Sequence, residues 1–169
     1  MAETVYLLLG SNLGDRQKFL SLALERLEAL EGLEIVALSS VYVSEATEMK
    51  GENPSFLNQV VKAEYQFTAM ELLAALERIE SEFGRSNKGE KLPRTIDCDI
   101  LLFGSQVICT PKLSVPHPKL LDRPFAMVPL IEIDPLAVHP MTHKPIAGFL
   151  SEKDRKSVLL YKDHVARNV

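Results

Sequence analysis

The chain has 169 residues, of which 46% are hydrophobic and 25% charged. This composition fits one globular domain over residues 1–169 and excludes collagen-like and low-complexity chains. The net charge of −4 argues against a general nucleic-acid binder, which would carry a basic surface. The apolar runs are too short to cross a bilayer, and no signal peptide is expected at the N-terminus. The two cysteines, Cys98 and Cys109, indicate a reducing, cytoplasmic compartment rather than a disulfide scaffold.

The first segments in chain order predict a strand, a helix and a second strand. Val5–Leu9 is a short apolar run and predicts a buried strand that ends in a turn. Leucine and alanine recur at helical spacing over residues 15–30, and Gly32 ends that helix. Ile35–Val43 is rich in β-branched and apolar residues, which favours a second strand. The polar segment 44–55 is expected to be a loop.

The next segments repeat the same order. Residues 61–67 alternate apolar and polar side chains, which predicts a strand with one solvent-facing side. Thr68 and Glu71 match a capping box, and the helix they begin extends to Phe83. Ser86–Pro93 predicts an exposed mobile loop, and Thr95–Phe103 predicts a further strand. Two strand–helix–strand units predict an α+β, ferredoxin-like split βαβ sandwich, with an antiparallel sheet and both helices on one face.

The last third of the chain is rich in proline. Eight of the ten prolines lie between Pro111 and Pro145, so we expect a C-terminal extension without long regular elements. Phe125–Ile133 predicts a short helix with Pro124 in its first turn. A separate C-terminal domain is an alternative that the length of the chain disfavours.

Two aspartates lie within an apolar strand pattern. Asp97 and Asp99 are two residues apart, so their side chains share one face, with α-carbons roughly 6.5–7 Å apart. Ile96, Cys98, Ile100 and Leu102 are then expected to point into the core on the other face. Aspartate is a poor strand former and like charges repel, so a divalent cation such as Mg²⁺ would stabilise the pair. The alternative is a solvated sheet face.

Basic residues surround these acids in the sequence. Arg85 and Arg94 precede them, while His117 lies between two prolines and Arg123 follows later. Acidic metal ligands with several arginines form the arrangement that phosphoryl transfer requires. Each arginine taken singly is better explained as an ordinary surface residue, and the sequence has no glycine-rich phosphate loop.

Other polar and aromatic residues carry weaker signals. Phe56 and Asn58 would face the same way in an extended segment, which suits a flat heterocycle, although the residues alone favour a loop aromatic packed on the core. His139 and His143 are four apart, but Pro140 between them makes a helical metal pair improbable. Both are expected to be exposed loop histidines.

Taken together, these segments resemble the 6-hydroxymethyl-7,8-dihydropterin pyrophosphokinase family of folate biosynthesis. The resemblance covers the chain from Tyr6 to about Ile133. The segments that carry it are Leu9–Gly14, Phe56–Asn58, Glu80 with Gly84–Arg85, Pro93–Ile100, Val115–His117 and Arg123–Phe125.

The resemblance implies a ferredoxin-like fold and transfer of pyrophosphate from ATP to the hydroxymethyl group of the pterin, with release of AMP. Asp97 and Asp99 would hold two Mg²⁺ ions that bridge the triphosphate. Arg85 and Arg94 would join them as catalytic residues. The implied partners are ATP and the pterin, with no nucleic acid and no membrane, and the enzyme is expected to be a monomer.

The resemblance also implies the binding positions for each substrate. Phe56 and Phe125 would enclose the pterin ring, and Asn58 and Ser44 would lie at its edge. The positions implied for ATP are Glu77, Arg85, Arg94, Lys112, His117 and Arg123.

Two other functions remain open from the residues alone. A ferredoxin-like RNA-binding module would need exposed aromatic residues and a basic sheet face, where this chain has Asp97 and Asp99. A different Mg²⁺-dependent phosphoryl or nucleotidyl transferase would differ in its products.

Overall fold

The computed structural model describes residues 1–44, 55–83 and 95–161 and the backbone of 167–168. The predicted loop Ser86–Pro93 lies outside these residues, as does most of the predicted loop 44–55. The main elements in chain order are β1 (Glu3–Ser11), α1 (Arg16–Glu28), β2 (Leu33–Leu38), β3 (Tyr42–Ser44), β4 (Phe56–Tyr65), α2 (Ala69–Glu82) and β5 (Asp97–Phe103). They are followed by β6 (Ile108–Cys109), β7 (Ser114–Val115), α3 (Pro124–Ile133), α4 (Glu152–Lys156), β8 (Leu159–Leu160) and β9 (Arg167–Asn168).

The central sheet is antiparallel and has the strand order β5–β1–β4–β2. β3 continues the line of β2 along the same side of β4, and β8 and β9 add short outer pairings. The order of the four long strands is that of a split βαβ fold, so the predicted ferredoxin-like architecture is confirmed. No helix within the described ranges has the length and hydropathy that a bilayer crossing requires.

The two faces of the sheet are buried by different layers. Val5, Leu7 and Leu9 of β1 pack with the apolar sides of α1 and α2. Tyr6 and Leu8, on the opposite face, pack with α3. Because β1 is covered on both faces, its sequence is a continuous apolar run rather than an alternation. Both helices of the repeated units therefore lie on one face, as predicted, and α3 covers the other.

The predicted second strand, Ile35–Val43, is interrupted in the structure. Ser39, Ser40 and Val41 separate β2 from β3, and side chains take part in the hydrogen bonds between this break and β4. The backbone N–H of Val60 donates to Ser39 Oγ at 2.8 Å, and Gln59 Nε2 donates to the Ser39 carbonyl at 2.9 Å. An apolar count over the segment could not detect this break, because serine hydroxyls compete with the backbone for partners.

β4 begins and ends earlier than the alternation predicts. It starts at Phe56, within the segment expected to precede the strand, and it ends at Tyr65. Phe67 follows the strand and is exposed. The capping box of α2 is confirmed: Thr68 Oγ1 accepts the N–H of Glu71, and the Glu71 carboxylate accepts the N–H of Thr68.

Leu102 is buried in the core, as predicted, but on the opposite face of the sheet from Ile96, Cys98 and Ile100, so its predicted face is wrong. A bulge between β1 and β5 shifts the register, because Leu7 pairs with Ile100 while Tyr6 pairs with Leu102. Leu101 is the extra residue, so Ile100 packs on the α1/α2 side and Leu102 on the α3 side. A bulge reverses the alternation of side chains beyond it, and the sequence pattern carries no sign of it. Cys98 is buried in the core, as predicted.

The helix predicted over 125–133 is confirmed as α3, with Pro124 as its first residue. Its C-terminal half is tied to the sheet at two places. The Glu132 carboxylate accepts from the Ser40 N–H at 2.8 Å and from Ser40 Oγ at 2.6 Å. The Tyr6 hydroxyl donates to Asp134 just beyond the helix. These contacts hold α3 across the sheet face that its apolar side covers.

The two histidines of the C-terminal extension differ from each other. His143 is exposed as predicted, but His139 is buried, with 6% of its surface exposed, so its predicted exposure is wrong. Its Nδ1 accepts the backbone N–H groups of Met141 at 3.2 Å and Thr142 at 3.4 Å. The imidazole is therefore the centre of a tight loop, and burial lowers its pKa below the ordinary value of 6.5.

We expect the stability of the chain to fall in mild acid through His139. The unfolded chain takes up a proton at about pH 6.5, whereas the folded chain resists it, so the stabilising contribution is lost as the pH falls below that value. When the pH is lowered from about 7.5 to about 5.5, the Tm of His139→Gln should fall less than the Tm of the wild-type chain. His143→Gln is the matched control and should keep the full fall. Equal falls for both variants would contradict the role of His139.

Candidate functional site

The two aspartates of β5 face the α3 side of the sheet. Asp97 lies opposite Gly10 of β1, and Asp99 lies opposite Leu8, whose side chain packs on that side. Ile96 between the preceding loop and β5 is buried on the other side. Both aspartates are half-buried, and Asp97 Oδ1 is withdrawn from solvent. The predicted side-by-side arrangement of the two carboxylates on one face is therefore present.

Glu80 of α2 supports the strand between these aspartates. β5 is an edge strand, and its Cys98 N–H donates to Glu80 Oε2 at 2.8 Å. Glu80 has only 3% of its surface exposed. From the sequence, Glu80 is named only among the segments that carry the resemblance, and no role is predicted for it. Its spacing of four residues from Leu76 places it on the buried side of α2, and a carboxylate at such a position needs a partner.

Phe56 and Asn58 share one face of β4, as their two-residue spacing predicts for an extended segment. Asn58 lies opposite Gly10, and its Nδ2 donates to Ser44 Oγ at 2.6 Å. Asn58 and Ser44 are both buried, whereas Phe56 is partly exposed. Asn58, Gly10 and Asp97 therefore form one row across β4, β1 and β5.

The first turn of α3 brings an aromatic ring to the same side. Phe125 is partly buried and packs against the apolar cluster beneath α3. The Arg123 guanidinium lies over the Phe125 ring, 5.5 Å from its centroid. The attraction between a cation and an aromatic face holds this guanidinium beside the ring.

His117 is docked on the open edge of β5. Its backbone N–H donates to the Leu101 carbonyl at 2.9 Å, two residues beyond Asp99. Its Nδ1 accepts the N–H of Lys119 at 3.1 Å. In the neutral imidazole the proton is therefore on Nε2, which is the donor that the ring can offer.

Ser11 and Thr95 join the ends of two further segments to the site. Ser11 Oγ donates to the Thr95 carbonyl, and Thr95 Oγ1 donates to the Phe83 carbonyl. The end of α2, the start of β5 and the end of β1 are thus tied together beside Asp97.

The structure places the remaining predicted site residues differently. Glu77 is exposed on α2, three residues before Glu80, so it lies in the layer on the other side of the sheet from the aspartates. Lys112 is exposed between β6 and β7. Arg85 and Arg94 lie outside the described residues.

The carboxylate pair fits a magnesium ion bound together with a substrate. Across residues 1–44, 55–83 and 95–161 no group of three or more histidine, cysteine or acidic side chains is arranged to hold a metal. Mg²⁺ commonly takes one or two carboxylates from the protein and completes its shell with phosphate oxygens and water. Asp97 and Asp99 supply such a pair.

Residues 6–135 match the model of the family described as 7,8-dihydro-6-hydroxymethylpterin-pyrophosphokinase. The chain belongs to this family. A pyrophosphokinase of Aquifex aeolicus, named for 2-amino-4-hydroxy-6-hydroxymethyldihydropteridine, is 44% identical over 90% of this chain and 94% of its own length. A pyrophosphokinase of the same name from Bacillus subtilis is 37% identical over 79% of both chains.

This chain also matches parts of longer proteins. The folic acid synthesis protein fol1 of Pneumocystis carinii is 39% identical over 95% of this chain, which spans only 22% of that protein. Among solved structures, wild-type Plasmodium falciparum HPPK-DHPS with pterin and p-hydroxybenzoate superposes with a TM-score of 0.69 at 14% identity. That match covers all of this chain and 48% of the other, and it supports the fold alone.

Proposed function

We propose that this chain carries out the reaction of its family on the α3 side of the sheet. The chain transfers pyrophosphate from ATP to 6-hydroxymethyl-7,8-dihydropterin in folate biosynthesis and is an ATP-dependent diphosphotransferase. The main support for the proposed site is the row Asn58–Gly10–Asp97. The Asn58 amide suits the edge of a heterocycle, and the Asp97 carboxylate suits a metal ion that binds phosphate. This reading is favoured over an RNA-binding module, since the row ends in a carboxylate.

Asp97 and Asp99 are proposed to hold magnesium, with two ions expected. When bound, the metal neutralises phosphate oxygens and makes the β-phosphorus more electrophilic. The two carboxylates fix where that charge lies, and Glu80 fixes the strand between them by accepting the Cys98 N–H. A net-acidic chain can thus receive a polyanion at one restricted place.

Phe56 and Phe125 are proposed to enclose the pterin ring, with Asn58 reading its edge. Ser44 accepts one N–H of the Asn58 amide, which fixes the orientation of that amide. A Cβ on Gly10 would lie 3.5 Å from Asn58 Oδ1, so this oxygen is directed toward Gly10 on β1, the strand between β4 and β5. A carboxamide oxygen held there can accept from an N–H donor of the pterin edge.

Arg85, Arg94, His117 and Arg123 are proposed to contact the phosphates. Arg123 lies over the ring of Phe125, so it stands at the boundary between the two substrate positions. In the reaction the hydroxymethyl oxygen attacks the β-phosphorus and releases its proton to water, and the bond from that phosphorus to the oxygen of the α-phosphate breaks. AMP leaves, and arginines stabilise the charge that develops.

Glu77 and Lys112 are proposed as outer nucleotide contacts. Both are exposed, Glu77 on α2 and Lys112 between β6 and β7, away from the aspartate pair, so they suit the ribose or base rather than the reacting phosphates. The proposed partners are ATP and the pterin, with no nucleic acid or membrane partner. We further propose a single domain over residues 1–169, a monomer and a cytoplasmic location. The free thiols of Cys98 and Cys109 support a reducing compartment.

The products of the reaction test the proposed function directly. Incubation with ATP, Mg²⁺ and the pterin should give AMP and pterin diphosphate in equal amounts, measured by separation of the nucleotides. ADP would indicate a simple kinase, and free pyrophosphate with a pterin–AMP adduct would indicate nucleotidyl transfer. Either of these results would overturn the proposal.

Asp97→Asn and Asp99→Asn should each lower kcat by at least about a hundredfold, because each removes a charge that holds metal and phosphate. The amide keeps the shape of the side chain, so Tm should change little. Asp15→Asn is the matched control, since Asp15 caps α1 on the surface and asparagine caps a helix equally well. Near-normal turnover in both strand variants would remove the metal assignment.

Phe125→Ala should raise the KM for the pterin by about tenfold or more, which corresponds to roughly 1.4 kcal/mol of lost binding. The KM for ATP should change by less than about threefold, because the ring contacts the acceptor. Phe149→Ala, at an exposed phenylalanine beyond α3, is the control. Equal increases in both KM values would count against ring stacking.

A further inference from the structure

We propose that Gly10 is a specificity-determining residue for the acceptor, because its missing side chain leaves the sheet open where the flat ring must lie. The inference rests on the proposed function. It assigns a role to the one member of the row Asn58–Gly10–Asp97 that has no side chain of its own.

The position of Gly10 is set by the strand register. Asn58 lies opposite Gly10 on one side, and Asp97 lies opposite it on the other. Neighbouring strands are about 4.8 Å apart, so the asparagine and the aspartate are separated by about 10 Å. An acceptor whose ring edge is read at Asn58 and whose hydroxyl reaches phosphate held at Asp97 must cross the strand at Gly10.

The fold does not require glycine at this position. A Cβ added to Gly10 would meet the Asn58 Oδ1 and a Phe56 ring carbon at 3.5 Å, which is ordinary van der Waals contact. Gly32 differs, since its φ of +81° is a backbone conformation that residues with a side chain rarely adopt. Glycine within a strand weakens the strand, and it often marks a place where a ligand approaches the backbone closely.

A methyl group at Gly10 would occupy the space between the amide of Asn58 and the ring of Phe56. It would lift a stacked ring away from the sheet and weaken the hydrogen bond at the ring edge. The three atoms nearest to the added methyl belong to Asn58 and Phe56 and not to Asp97 or Asp99, so the effect should fall on the acceptor. Gly10 thus sets the depth at which the acceptor lies on the sheet.

Gly10→Ala should raise the KM for the pterin by about tenfold or more and leave the KM for ATP within about twofold. Calorimetric binding of the pterin, in the presence of Mg²⁺ and a non-hydrolysable ATP analogue, should weaken by a similar factor. Tm should stay unchanged or rise. Gly148→Ala is the matched control, because a Cβ there meets nothing within 4 Å, and it should leave both KM values unchanged.

Several outcomes would overturn the inference. If the wild-type chain makes AMP and the Gly10→Ala variant folds but keeps the wild-type KM for the pterin, the inference about Gly10 is wrong and the proposed function stands. Equal losses for pterin and ATP would mean that the substitution disturbs the β1–β5 pairing instead. If Gly10→Ala fails to fold, then glycine is needed by the fold, and the inference is wrong. If the wild-type chain makes no AMP, the proposed function itself is wrong, and the inference about Gly10 is wrong with it.

Discussion

The antiparallel register of β4, β1 and β5 is the constraint on which the rest of the site depends. Gly10 pairs with Asn58 on one side and with Asp97 on the other, so a shift of one residue would turn either side chain to the opposite face. The apolar residues of β1 hold this register, because Val5 and Leu7 must face α1 and α2. Core packing on one face therefore fixes the chemistry on the other.

The two faces of the sheet have different roles, and α3 contributes to the face that holds the site. α1 and α2 bury one side of the sheet as in any split βαβ fold, while α3 covers only part of the other. Glu132 and Asp134 hold its C-terminal end through Ser40 and Tyr6. Its N-terminal end then presents Phe125 beside the open part of the sheet, where apolar packing gives way to polar side chains.

Local patterns predicted much of this molecule correctly. The strand Val5–Leu9, the capping box of α2 and the proline-initiated α3 follow from short-range rules of periodicity, capping and proline geometry. The common face of Asp97 and Asp99 follows from the two-residue period of a strand. These features depend only on residues a few positions apart, and for that reason the chain order alone predicts them.

Features that depend on distant partners could not be read in this way. The break at Ser39 exists because Val60 and Gln59 on another strand supply its hydrogen bonds. The bulge at Leu101 is set by pairing with β1, and the burial of His139 follows from backbone groups that a folded loop brings to its ring. The amino-acid sequence thus specified which chemical groups are present and in which local elements they lie. Their alignment across strands arose only on folding, because register and burial are properties of several segments packed together.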